Sequence, residues 1–249
     1  MINPFEKTEY QSGIDLIVKS GSKPSKYSAT SAVNHIEKAL KIRDIDFEMC
    51  AFRLITAEEE AATAIFLAMK HKEYTNSDKL KHRDHIYKNS VIPFLEAISR
   101  VFNKEIRSEM KPRLEFDEKD GVIKLSVIRI ISGEACRVKA IPPLNFTIGV
   151  GNDKLHYEKE LQELVSLKNK KFISEYLKER ANIRNLLLYA GPTGLGSIPT
   201  LENETIINRI NQIYLLLSIY LMIDQNIEKQ LFVQDCLNAF LEIMGKIKK

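Results

Sequence analysis

The chain has no tryptophan, and only three cysteines and eight prolines in 249 residues. Cys50, Cys136 and Cys236 are odd in number and far apart, so they make neither a disulfide framework nor a metal-binding pattern. A reducing cytoplasm is the expected location. There is no repeat and no low-complexity tract. The start, MINPFEKTEYQSG, does not read as a signal peptide, lacking a basic stretch followed by an apolar run. The longest apolar run, IYLLLSIYLMI at 213–223, is too short to span a bilayer and reads as a buried helix, so no membrane is expected. Nor does one sign of charge dominate. Lys and Arg number 37 against 33 Asp and Glu, a net +4. That permits nucleic-acid binding without arguing for it.

What is present is ordinary for a globular protein: 44% hydrophobic and 28% charged residues. Helical periodicity dominates. After a short first element and the SGSKPSK loop, a helix is expected from about Ser28 to Ile42. A stronger one spans Phe47 to Lys70. Its seam of Phe47, Ala51, Leu54, Glu58, Ala61, Ile65 and Ala68 alternates steps of four and three. Every member is apolar except Glu58. A third helix is expected over 77–103, with Pro93 kinking it or marking a join. The texture then changes. Residues 112–150 are rich in Val and Ile, with turn signals at Asp120-Gly121 and Ser132-Gly133, and read as three or four antiparallel strands. Such a meander is marginal alone and is expected to cap the helices. Helix returns over 153–189, ends in the loop AGPTGLGSIPT at 190–200, and resumes at about 203–223 and 227–247. The expected fold is mostly α: a single helical-bundle domain over 1–249 with a small antiparallel β insertion at about 112–150.

The stretch ERANIRNLLLYAG, 179–191, carries the strongest functional signal. Ile173, Leu177, Ala181, Arg184 and Leu188 follow one helical face, which places Arg184 among apolar neighbours. A cation there needs a partner or a role. Glu58 interrupts an apolar seam in the same way. Either the two form a buried bridge between helices, or they line a polar cleft in which Arg184 binds phosphate or stabilises negative charge. Spacing alone favours the bridge. In KHRDHIYK, 81–88, His82, His85 and Lys88 lie three apart on one expected helix face. A solvated basic surface is the simpler reading, a phosphate patch the functional one. A metal face is the weakest, because the Glu-x-x-His motifs of a bundle di-metal site are absent, as is HExxH. The glycine loop is not a P-loop, having no Gly-Lys-Ser/Thr. Lys168, Lys170, Lys171, Lys178 and Arg180 interleave with Glu175 and Glu179, so a solvated face is the default there. No metal and no cofactor is expected.

AFRLITAEEEAATAIFLA at 51–68, KHRDHIYK and IRNLLLYAG together resemble the HEPN superfamily, within it the abortive-infection AbiV-like branch. The similarity covers the helical segments, about two thirds of the chain, and not the β insertion. The resemblance implies a HEPN-like helical bundle that dimerises. It also implies a metal-independent endoribonuclease of a phage-defence or toxin-type system. The family motif is Arg, a polar residue, then His four to six residues on. Arg184 and Asn185 match its start, but Tyr189 stands where His is expected. Tyrosine is a poor base at neutral pH, with an ordinary pKa of about 10. Glu58 would correspond to the polar residue that supports the Arg.

Two functions follow. In the first, a homodimeric ribonuclease uses Arg184 on the scissile phosphate, Asn185 and Tyr189 to orient substrate, Glu58 to hold Arg184, and His85 as acid or base. Arg180, His82 and Lys88 add binding charge. In the second, a non-catalytic HEPN-like module binds a nucleotide, an RNA end, or an antitoxin or other protein partner in the same cleft.

Overall fold

The computed structural model describes residues 4–20, 23–102, 112–131, 134–139, 142–144, 148–150, 153–155, 158–188, 190–191, 194–195 and 202–247. It is mostly helical with small antiparallel sheets. Helix α1 (Glu9–Lys19) begins in a capping box, where the Thr8 side chain accepts from Gln11 N and the Gln11 side chain accepts from Thr8 N. Helix α2 (Pro24–Ile42) opens on a proline at its first position, where no intrahelical N–H is needed. Helix α3 (Phe47–His71) is capped by Asp46, whose carboxylate accepts from Met49 N at 2.8 Å.

Helix α3 is the axis of the molecule. It packs most extensively on α2 and on α8 (Asn203–Asp224). From Ala57 to Ala68 almost every side chain is buried, including Ala61, Ala62, Ala64, Ile65 and Phe66. Small alanines bring neighbouring helices close on several sides. Helix α8 answers with Ile213, Leu216, Leu217, Tyr220 and Leu221, all without solvent exposure. Each such aliphatic side chain contributes about 1.5–3 kcal/mol of burial. The apolar character of α8 extends past the 213–223 run. By length and composition alone the helix could cross a membrane, and most of it is buried inside the protein. Helix α9 (Leu231–Ile247) closes the bundle with Val233, Leu237, Phe240 and Ile243.

The helix expected over 77–103 is three elements. A 3-10 turn at Ser77–Lys79 comes first, then α4 (His85–Asn89) and α5 (Val91–Phe102). Asp84 is the reason for the break. Its carboxylate accepts from Ile86 N at 2.9 Å and starts α4 afresh. Ser90 separates α4 from α5, so Pro93 lies in the first turn of α5, where proline is tolerated. The expected face of His82, His85 and Lys88 therefore does not exist, because His82 precedes α4.

The β insertion is present. Strands β1 (Pro112–Asp117), β2 (Val122–Ile131) and β3 (Glu134–Lys139) form an antiparallel meander. Its first turn holds Gly121 at φ +63°, which glycine adopts without strain. Ser132-Gly133, the second expected turn, lies outside the described residues. The meander rests on α1 and α8, and Ile123 and Leu125 join the main core. A further pair, β4 (Ile148–Val150) and β5 (Asp153–Leu155), takes up the start of the helix expected at 153–189.

That helix is also divided, into α6 (Glu158–Leu164) and α7 (Leu167–Leu188). Asn169 makes the join. Its side-chain amide donates to the carbonyls of Glu163 at 3.0 Å and Leu164 at 3.2 Å, ending α6. Within the expected 190–200 loop, β6 (Ala190–Gly191) pairs with β7 (Gly194–Leu195).

Candidate functional site

Glu58 and Glu59 are adjacent on α3, so a helix turn of about 100° per residue aims them at different neighbours. Both are buried, at 1% and 5% exposure. Glu58 faces α7 and Glu59 faces α4. Since α4 and α7 also touch each other, the two carboxylates lie behind one junction.

On the α7 side, Arg180 Nη2 donates to Glu58 Oε2 in a buried ion pair. Arg180 also lies 5.8 Å from the centre of the Tyr176 ring. The pair is joined through a single oxygen. Glu58 Oε1 and Arg180 Nε have no hydrogen-bond partner, so the bidentate fork is not made. Burial pushes the Glu58 carboxyl up to about 7, against the pull of Arg180 and with help from Glu59 and Glu96. Burial likewise pushes the Tyr176 hydroxyl up, reinforced by Glu58.

On the α4 side, Glu59 is fully engaged. Its Oε2 accepts from His85 Nδ1 at 2.6 Å and from Lys88 Nζ at 3.0 Å, and its Oε1 accepts from Asn89 Nδ2 at 3.0 Å. A carboxylate can only accept, so His85 Nδ1 is the donor here and Nε2 is the ring nitrogen turned away from Glu59. His85 is half exposed while Glu59 is buried. The imidazole thus stands at the surface with its ring orientation set from within. Around it Lys81 and Arg83 are exposed. His82 Nδ1 lies 3.4 Å from Lys70 Nζ. Partial burial pulls the His82 imidazole below its usual value, aided by Lys70, Arg83 and Lys88, which favours the neutral ring that accepts from Lys70.

The sequence-based assignments are therefore partly rearranged. Glu58 is buried on its seam, and among the described residues the cation on it is Arg180. The buried stripe of α7 runs through Asn169, Ile173 and Arg180, whereas Ala181, assigned to the seam, is exposed. Arg184 and Asn185 lie in α7, in the turn after Arg180, and their side chains are outside the described residues. Tyr189 lies outside them altogether. Lys88, expected on a solvated surface, is buried against Glu59. Glu59, Asn89, Tyr176 and Glu96 complete the junction and were not singled out from spacing. Consecutive glutamates inside an alanine-rich helix are the signal that could have pointed to Glu59.

Among the described residues, no group of three or more His, Cys, Asp or Glu side chains could hold a metal ion. Proton transfer at an oriented imidazole and attraction of an anion to a basic rim are the chemistries this arrangement offers. No family model, no curated protein and no solved structure matches the chain.

Proposed function

We propose that this chain is a HEPN-like endoribonuclease of a bacterial phage-defence or toxin-type system, cytoplasmic and homodimeric. The observation that carries the reading is the half-exposed His85, its Nδ1 fixed by buried Glu59 on a basic rim. In this reading His85 Nε2 takes the proton of a ribose 2′-hydroxyl. The 2′-oxygen attacks the adjacent phosphorus, the bond to the 5′-oxygen breaks, and that oxygen leaves with a proton. The products are a 2′,3′-cyclic phosphate and a 5′-hydroxyl. The nucleophile is internal to the substrate, so no metal-bound water is required. Arg184, in the turn of α7 beyond Arg180, binds the scissile phosphate, and Asn185 and Tyr189 orient the substrate. Glu58 positions Arg180, and with it α7.

A second reading, a non-catalytic module for RNA, a nucleotide or a protein partner, is favoured by the burial of the Glu58–Arg180 pair. Tyr189 in the family His position favours it too. The experiment is cleavage of total bacterial RNA in EDTA by wild type, His85→Ala and Arg184→Ala. Nuclease function requires cyclic-phosphate ends from wild type and loss of cleavage of at least 100-fold in His85→Ala. A folded wild type that binds RNA without cutting it establishes the module instead.

A further inference from the structure

A second feature, unconnected with the nuclease reading, lies between α3, α5, α8 and α9. There a partly open cavity of about 120 Å³ is lined, among the described residues, by apolar side chains. Ile65 and Phe66 come from α3, Phe94 and Ile98 from α5, and Cys236 and Phe240 from α9. We infer that this cavity is a binding site for a small uncharged hydrocarbon group, an aromatic ring or a short alkyl chain.

The chemistry of the wall selects the guest. A polar ligand would lose its hydrogen bonds to water and find none in return. Water has the same difficulty, since it needs two to four polar partners to be held. The Cys236 thiol is no exception, because burial pushes it up and keeps it neutral. Apolar cavities of about 150 Å³ stay dry and accept benzene. The volume here suits a single six-membered ring or a chain of similar bulk.

The aromatic wall adds shape. The Phe240 centroid is 5.2 Å from that of Phe94, at an interplanar angle of 76°, and 5.8 Å from that of Phe66, at 49°. Rings held at such angles present both edges and faces, the arrangement an aromatic guest prefers. Phe240 also meets Tyr87 of α4 edge-on at 5.9 Å. A guest against Phe240 is therefore one ring away from the helix that carries His85.

The test uses toluene as probe on the full chain, followed by thermal unfolding. Binding raises the wild-type Tm by about 3–6 °C at tenfold excess over Kd. Two substitutions fill the space independently, Cys236→Leu and Ile98→Phe. Whichever of them folds cooperatively is expected to lose the toluene shift. No rise in the wild type, or a rise of equal size in a folded filled variant, overturns the inference.

Discussion

Replacing Glu58 by Gln keeps the shape of the side chain and removes its titration. In the wild type, burial raises the folded carboxyl from an ordinary 4.5 to about 7. The folded protein then binds more protons than the unfolded chain between those two values. Below pH 4.5 both states are protonated and there is no penalty. As pH rises through the window, the unfolded carboxyl ionises first, so stability falls. Above pH 7 both are ionised and the loss is complete. A rise of this size corresponds to about 3 kcal/mol. The assay is urea unfolding of wild type and Glu58→Gln from pH 4 to pH 8. The stability difference between them is expected to shift by about 3 kcal/mol in favour of the variant on going from pH 4.5 to pH 7. Parallel curves across that window would refute the reasoning, since Glu58 would then be ionised throughout and stabilised by Arg180. A difference moving the opposite way would refute it more strongly.

Two further outcomes follow from the packing. Arg180→Ala strips Glu58 of its partner and is expected to cost about 3–5 kcal/mol at pH 8. The cost should shrink at pH 5, where Glu58 is neutral, and urea midpoints at the two values measure this. At Gly13 an added Cβ would stand 2.4 Å from the Phe116 ring. Gly13→Ala should therefore destabilise by about 1–3 kcal/mol, read as a lower Tm, and an unchanged Tm would mean that the ring moves freely.

The long elements were legible because periodicity accumulates over many residues. Helix α3 shows its seam and its misplaced Glu58 over 25 residues. The meander announces itself through Val, Ile and an Asp-Gly turn. The partner of Glu58 was not legible in the same way. Glu58 and Arg180 are 122 residues apart, and which cation of α7 meets Glu58 depends on how two helices slide together. No local pattern encodes that choice. The 77–103 region failed for another reason. Asp84 read as one more polar residue inside a helix, although its side chain starts a new one. Asn169 was missed likewise. Its amide closes α6 within what the sequence presents as an uninterrupted charged helix.

The pairing of α3 with α8 has a consequence for synthesis. Helix α3 emerges early, yet α8, one of its two main partners, begins only at Asn203. At ~5–20 residues per second the ribosome needs on the order of ten seconds to cross the interval from 72 to 202. Until then α3 is covered by α2 and, less extensively, by α4 and α7. The α3 surface that meets α8 is thus completed only once residues 203–224 have been made.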